Sequence, residues 1–251
     1  MIKTSKKLIT VFISTLLIAL VSLTSATNSA SVYLGTVKKV PIYRVGRDDN
    51  KISISFDCAY GDEFTLDILD TLDKYNVKCT FFVVEFWVKK FPDKVEEIIS
   101  RGHEIGTHSR SHPKMSTLSS EQIREELVSS ISAIEKITSK KVKLFRAPFG
   151  DYDNELLEVA SSLDLYTIQW DVDSLDWKNL TAEEICNRVV SKTKSGSIIL
   201  CHNNGLHTAE SLKKTLPALQ EKGYEFIPIS ELVYKENYII NSAGEQLLAG
   251  K

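Results

Sequence analysis

Two histidines four residues apart, His108 and His112, are the side chains of this sequence best suited to bind a metal ion. They lie in the stretch "THSRSHPKM" of a chain that has five histidines. Residues at i and i+4 share one face of a helix, which lets two imidazoles bind one zinc ion. The pair alone is weak support, because this spacing also arises by coincidence, and residue 109 is Ser rather than the Glu of an HExxH metalloprotease.

Further reactive side chains follow short apolar runs of the sequence. The five places are "FDCAYG", "HSRSH", "RAPFGDYD", "DSLDW" and "LCHNN". Alternation in "KISISFD" puts Ile52, Ile54 and Phe56 on one face of a strand and Asp57 on the other. If such strands close into a barrel, Asp57 is predicted to face its axis. Five such motifs together indicate an active site more strongly than any one of them.

Short apolar runs alternate with amphipathic stretches after about residue 50. The predicted strands are "KISISFD", "KCTFFVV", "HEIGTH", "KLFRAP", "LYTIQWDV", "SIILC" and "EFIPIS". The predicted helices span residues 62–75, 93–101, 119–138, 154–163, 181–193 and 208–222. Ser119 and Gln122 have capping-box spacing at the start of the third helix. These repeated units predict an α/β fold, a closed or nearly closed (β/α) barrel of about seven parallel strands, with an open doubly wound sheet as the alternative.

Composition and motif content exclude several classes of function. The 31 Lys and Arg residues and 33 Asp and Glu residues are scattered, which makes nucleic acid an unexpected partner. No glycine-rich phosphate-binding motif follows a predicted strand, so nucleotide binding has no support. The cysteines are widely spaced and the chain is large enough to need no disulfides, so four thiols are expected, at Cys58, Cys79, Cys186 and Cys201.

The two ends of the chain differ from its regular middle. Residues 1–26 carry three lysines, then an apolar run, then small residues, which predicts a secretory signal cleaved near Ala26, with an uncleaved membrane anchor as the alternative. Either reading places the rest of the chain outside the cytoplasmic membrane. An N-terminal segment spans residues 27–50, the main domain spans 51–235, and 236–251 form a polar C-terminal tail that is expected to fray.

Taken together and in this order, the motifs resemble those of the polysaccharide deacetylase family, the NodB homology domain of carbohydrate esterase family four. The resemblance covers about Lys51 to Leu232. The stretches "SISFDCAYG", "YTIQWDVDSLDW" and "SIILCHNN" are similar to its sporulation-associated branch in spore-forming Gram-positive bacteria. The resemblance implies a distorted (β/α) barrel and a catalytic domain at 51–235. It also implies metal-assisted hydrolysis of N-acetyl groups on an exported polysaccharide substrate, either peptidoglycan or a chitin-like polymer. The expected location is the cell wall, the outer face of the membrane or the spore envelope.

The family's nucleophile-activating residues match four positions of this sequence. Asp57 is implied to be the general base that takes a proton from the attacking water. Arg146 is implied to pair with that carboxylate and keep it ionised, although a lone arginine would be taken as an ordinary ion-pair residue. His108 and His112 are implied to hold a divalent metal ion, with zinc favoured.

The remaining family roles concern the leaving group and the sugar. His202 matches the general acid that protonates the leaving amine, and Asp176 matches the carboxylate that orients that imidazole. Phe149 matches the position whose backbone N–H stabilises the oxyanion. Trp177 is implied to form a wall of the sugar groove, although in isolation it would be taken as a core residue.

One position departs from the family's pattern. The family has two adjacent aspartates, the base and then a metal ligand, and Cys58 replaces the second. A thiolate is a good zinc ligand, so a site of Cys58, His108 and His112 is favoured. A weaker two-histidine site completed by water, or no metal at all, are the alternatives. The leading function is therefore an exported N-deacetylase. A silent wall-binding relic and an O-acetyl xylan esterase are the other candidates.

Overall fold

Parallel strands form one curled sheet in the part of the chain that the structure, a computed structural model, describes, residues 38–250. The strands in chain order are β1 (Arg44–Val45), β2 (Lys51–Cys58), β3 (Thr80–Val83), β4 (Glu104–Thr107), β5 (Leu144–Phe145), β6 (Tyr166–Thr167), β7 (Val172–Asp173), β8 (Ile198–His202), β9 (Glu225–Phe226), β10 (Tyr238–Ile240) and β11 (Glu245–Leu248). The helices are α1 (Thr65–Lys74), α2 (Glu85–Lys90), α3 (Pro92–Ser100), α4 (Ser120–Thr138), α5 (Asn154–Ser162), α6 (Ala182–Lys192), α7 (Thr208–Glu221) and α8 (Ile229–Leu232).

The main sheet has two edge strands that follow each other along the chain. Its order is β6-β5-β4-β3-β2-β8-β7, its ladders are parallel, and β9 pairs with the start of β2. β6 ends at Thr167 and β7 begins at Val172, so a short segment joins the two edges. The predicted barrel of about seven parallel strands is confirmed. The run "LYTIQWDV", predicted as one strand, is two strands on opposite edges.

The alternation predicted for β2 separates the core from the barrel interior. Ile52, Ile54 and Phe56 are buried in the main hydrophobic cluster, which includes Leu69 of α1. Apolar side chains on one face of the strand thus bury area against the helices, and this burial is the main favourable contribution to the stability of the fold. Asp57 points to the opposite face. Because the strands are parallel, their carboxyl ends meet at one end of the barrel.

The predicted helices are confirmed, each within about three residues of its expected ends. The capping box at α4 forms as predicted, since Ser119 accepts a hydrogen bond from the backbone of Gln122 and the Gln122 side chain accepts one from the backbone of Ser119. α2 was not predicted, because six residues are too few to display a helical period. The four cysteines are free thiols, as expected, and all four are buried.

The expectation that the polar C-terminal tail frays is wrong. β11 pairs with β1 in parallel and with β10 in antiparallel orientation, which makes a second, three-stranded sheet. Gln246 is buried in this sheet, and its side-chain amide exchanges hydrogen bonds with the backbone of Tyr234. Paired backbone groups and a satisfied buried amide hold this segment in place.

The segment before β2 belongs to the same framework. Ile42 bridges to Ile168 beyond β6, and Arg44 bridges to Ser197 just before β8. The predicted signal or anchor, residues 1–26, lies outside the described residues. Among the residues that are described, no helix has the length and apolar character needed to cross a membrane.

Candidate active site

A buried carboxylate, guanidinium and imidazole meet at the carboxyl ends of β2, β5 and β4. Arg146 Nη1 donates to Asp57 Oδ1 at 2.8 Å, and His108 Nε2 lies 3.5 Å from Asp57 Oδ2. Strand pairing produces this meeting, since the Arg146 N–H after β5 donates to Thr107 O of β4, and the His108 N–H donates to Val83 O of β3. Arg146 Nη2 also donates to Ser55 Oγ at 2.9 Å, so two side chains of β2 hold the guanidinium.

The charges of this cluster keep Asp57 ionised. Burial alone would raise the pKa of Asp57, but the Arg146 guanidinium is the foremost of the neighbouring groups that outweigh it, and the pKa is lowered. Burial lowers the pKa of His108, which makes its ring neutral. The His108 Nδ1 lies 2.8 Å from Arg146 O and must donate to it, because a carbonyl only accepts. The lone pair of His108 is therefore on Nε2, which faces Asp57.

The two histidines do not share a helix, and that prediction is wrong. Residues 108–112 form a loop, the histidine loop, in which Ser109 and His112 have positive φ, 74° and 60°. The Glu126 carboxylate on α4 accepts hydrogen bonds from the N–H groups of Arg110 and Ser111, at 2.9 and 2.8 Å, and from Ser111 Oγ at 2.6 Å. Charge-assisted bonds of this kind offset the cost of left-handed residues. A carboxylate in the next helix, rather than helical periodicity, therefore shapes this loop.

The loop still brings the two imidazoles together. Their ring centroids are 5.0 Å apart, and the His112 ring also meets the Phe149 ring edge-on at 4.6 Å. Burial lowers the pKa of His112 to about 4, so this ring is neutral as well. Phe149 has φ of 60°, a conformation that costs a non-glycine residue about 1–3 kcal/mol and is concentrated at functional sites.

A second pair of groups faces this cluster from β8. His202 is the cross-strand partner of Asp57 in the β2–β8 ladder. Asp176 Oδ1 lies 2.8 Å from His202 Nδ1, and its Oδ2 accepts from the His202 N–H at 2.7 Å and from Thr208 Oγ1 at 2.6 Å. Burial alone would lower the pKa of His202, but the bond to Asp176 and its charge raise it. The ring therefore presents Nε2 as the atom that exchanges a proton.

Cys58 lies apart from the two histidines, in the hydrophobic core. It pairs with Val83 of β3 and continues the face of Ile52, Ile54 and Phe56, within the main hydrophobic cluster. The alternation in "KISISFDC" carried this information, because it puts residue 58 opposite Asp57. Burial, and next the charge of Asp57, raise the pKa of the Cys58 thiol well above its usual value, which disfavours the thiolate that a metal needs.

The donor set is therefore one ligand short of a three-residue metal centre. Two neutral imidazoles suit a divalent ion, but between residues 38 and 250 no three His, Cys, Asp or Glu side chains converge as a metal site would require. The groups present do not fit an ion held by three protein ligands, as far as the described residues go. The proton-transfer pairs, by contrast, are complete.

The aromatic residue expected at the groove is on the surface. Trp177 is 56% exposed and follows Asp176 directly, so its interpretation as an ordinary core residue is wrong. The Lys178 ammonium lies 4.8 Å from the centroid of its ring. An indole held beside the His202–Asp176 pair is available to a ligand at the barrel mouth.

Two residues that support the site were absent from the sequence-based prediction. Glu126 orders the histidine loop, and Thr208 supplies the third hydrogen bond to Asp176. Neither carried a local signal, because Glu126 reads as one of several charged residues on an amphipathic helix, and Thr208 as an ordinary residue where α7 begins. Gly205 is a partial hint: a Cβ there would lie 2.2 Å from Thr208 Oγ1 and 3.1 Å from Asp176 Oδ2. This close approach requires a glycine.

At the mouth of this (β/α) barrel the ionised Asp57 faces the His202 imidazole, and Arg146 and Asp176 are their buried partners. This arrangement defines a site for hydrolytic acid–base chemistry. Comparison with known proteins places the chain more narrowly. The profile of the family described as "Polysaccharide deacetylase" matches residues 44–168. The chain is 32% identical over 208 residues to the Bacillus subtilis peptidoglycan-N-acetylmuramic acid deacetylase PdaA, covering 81% of this chain and 75% of that protein. The chain belongs to the polysaccharide deacetylase family.

Two further relatives bear on activity in different ways. The peptidoglycan-N-acetylglucosamine deacetylase PgdA of Listeria monocytogenes is 33% identical over 219 residues, which cover 87% of this chain and 44% of PgdA. The chain thus spans less than half of that relative's length. A solved structure described as a CE4 family pseudoenzyme from Bacillus anthracis superposes with a TM-score of 0.74 at 36% identity, covering 76% of this chain and 68% of that one. A mutant of the same protein is described as having restored enzymatic activity.

Proposed function

We propose that this chain is an N-deacetylase that hydrolyses acetamide groups of amino sugars in peptidoglycan, releasing acetate and leaving a free amine. The observation that carries the proposal is the pairing of Asp57 with His202 across one strand ladder, with Arg146 behind the base and Asp176 behind the acid. Relatives named as deacetylases of N-acetylglucosamine and of N-acetylmuramic acid in peptidoglycan support this substrate class.

The proposed hydrolysis transfers protons to and from the protein's own side chains. The Asp57 carboxylate takes a proton from water as the water oxygen attacks the acetamide carbonyl carbon. Negative charge develops on the carbonyl oxygen, and the N–H of Phe149 is the proposed donor to it. His202 Nε2–H then protonates the amide nitrogen as the C–N bond breaks, and the amine leaves together with acetic acid, which ionises to acetate. The proton held by Asp57 returns to His202 through solvent. The Asp176 carboxylate stabilises the imidazolium and holds Nδ1–H, so that Nε2 delivers the proton.

Metal dependence is a separate part of the proposal. Deacetylases of this family are generally metal-dependent, and we propose zinc, with His108 and His112 as its protein ligands. The buried position of Cys58 leaves the third ligand unassigned, and no step above depends on the ion. Zinc content per chain in the wild type, in Cys58→Ser and in His112→Ala tests the assignment. Equal zinc in wild type and Cys58→Ser, with less in His112→Ala, is expected. A loss in Cys58→Ser would instead identify the thiol as a ligand.

One observation favours a second candidate function. The core position of Cys58 removes a metal ligand that the family's pattern has at this place, and a pseudoenzyme is among the similar structures. The chain would then be a carbohydrate-binding relic that holds wall glycans without hydrolysing them. Under this alternative the barrel mouth still binds sugar, while acetate release is absent.

Acetate release separates these functions. Purified chain is incubated with N-acetylglucosamine oligomers, with peptidoglycan and with acetylated xylan, with and without added zinc, and Asp57→Asn serves as the inactive control. Release from the first two substrates by wild type alone is expected. Release only from xylan would indicate an O-acetyl esterase instead. Glycan binding without release from any substrate would indicate the silent relic.

We also propose that the chain acts outside the cytoplasmic membrane, in the cell wall or the spore envelope. The support is the sequence of residues 1–26, with its lysines, apolar run and small residues. Fractionation of expressing cells and N-terminal sequencing of the mature protein test this. Recovery of the chain from the cytoplasm with Met1 intact would contradict export.

A further inference from the structure

An exposed tyrosine lies on the loop that follows the proposed base. Tyr60 is 60% exposed, three residues after Asp57, between β2 and α1. Few large apolar side chains of the described residues are more than half exposed, and four of these, Tyr60, Phe149, Trp177 and Leu206, lie on segments that follow the carboxyl ends of barrel strands. Exposed apolar surface gathered at one end of a barrel indicates a ligand site.

Hydrogen bonds from buried side chains anchor the loop that carries Tyr60. The carbonyl of Gly61 accepts two hydrogen bonds from buried side chains, one from Trp87 Nε1 at 2.7 Å and one from Asn203 Nδ2 at 2.9 Å. The backbone N–H of Asn203 donates to Asp57 O at 3.2 Å, which ties the same residue to the base strand. The exposure of Tyr60 is therefore not the result of a loose loop, because the neighbouring backbone is anchored at a well-defined position.

The neighbours of the Tyr60 ring direct it toward the site. Its centroid lies 5.6 Å from that of Phe86 and 6.0 Å from that of His112, which it meets edge-on. The Tyr60 ring therefore packs beside Phe86 of α2 and borders the histidine loop. A tyrosine supplies a large, rigid contact surface at low cost in conformational entropy, which suits it to bind a flat, partly apolar ligand.

We propose that Tyr60 is a sugar-binding residue whose ring packs against the C–H face of a pyranose in the bound N-acetylated glycan. The identity of the ligand class rests on the proposed function. The contact itself requires no turnover, so it holds equally for an active deacetylase and for a silent glycan-binding chain. It places one wall of the groove on the β2–α1 loop, apart from Trp177 after β7.

Binding of an N-acetylglucosamine tetramer to the full chain, measured by calorimetry, tests the inference. Tyr60→Ala is expected to weaken binding about tenfold, the effect of losing roughly one aromatic contact. Tyr60→Phe is expected to bind within about twofold of wild type, because the ring is kept. Ile239→Ala is the matched control, since this side chain is also exposed but lies on β10, and its affinity should be unchanged.

Three results would overturn the inference. These are unchanged affinity in Tyr60→Ala, an equal loss in Tyr60→Phe, which would assign the effect to the hydroxyl, and a wild-type chain that binds no glycan. Circular dichroism of each variant confirms that it is folded. Acetate release is measured on the same preparations, so that failure of the proposed hydrolysis, with Tyr60-dependent binding retained, is distinguished from failure of this inference.

Discussion

Replacing Arg146 by methionine should destabilise the fold strongly, because it leaves a buried charge without its partner. The Arg146 side chain is 0% exposed and donates to Asp57, to Ser55 Oγ and to the carbonyl of Gln169. Methionine fills part of the same volume but offers neither a charge nor a donor. Removing one member of a buried ion pair costs about 3–5 kcal/mol, so the free energy of unfolding of Arg146→Met should fall by about that amount.

A double mutant shows whether the loss comes from the unpaired charge. In Asp57→Asn/Arg146→Met both charges are gone, so its loss of stability should be smaller than the sum of the two single losses by roughly 0.5–3 kcal/mol. Urea unfolding at a constant pH, followed by circular dichroism, measures all four proteins. An Arg146→Met loss below about 1 kcal/mol, or additive losses, would refute this account of the pair.

The same substitution has a signature in activity. Arg146 lowers the pKa of Asp57 and burial raises it, so the pKa of Asp57 should be higher in Arg146→Met than in the wild type. The base then stays protonated up to a higher pH. The acidic limb of the pH profile for acetate release should therefore move to higher pH. An acidic limb that stays in place would show that Arg146 does not set the ionisation of Asp57.

Two further predictions concern the partners of the acid and of the histidine loop. In Asp176→Asn the bond and charge that raise the pKa of His202 are lost, so the alkaline limb of the pH profile should move to lower pH; an unmoved limb would exclude this pairing as its cause. Glu126→Ala removes three hydrogen bonds from the histidine loop and should lower kcat about 10- to 100-fold through misplaced groups. Glu125→Ala, which loses only an exposed ion pair, should change kcat little, and equal effects of the two would contradict the positioning role.

Local periodicity was sufficient for most strands and helices of the barrel and for the direction of Asp57. The alternation of β2 and the amphipathic stretches predicted the barrel and the six longer helices, because burial of one face leaves a period of two or about 3.6 in the sequence. The same alternation puts Cys58 on the buried apolar face of β2. The prediction that Cys58 binds a metal ion rested instead on the affinity of thiolates for zinc. Periodicity is therefore a better guide than residue type at the end of a strand.

Tertiary structure alone decided the partners of these elements. The spacing of His108 and His112 suggested a helix, yet the loop takes its conformation from Glu126 on α4. β11 pairs locally with β10, and it joins a three-stranded sheet because Arg44, far earlier in the chain, offers a pairing edge to Glu245. Periodicity records which face of an element is buried, whereas the group that a particular carboxylate, carbonyl or strand edge meets depends on how distant segments of the chain pack together.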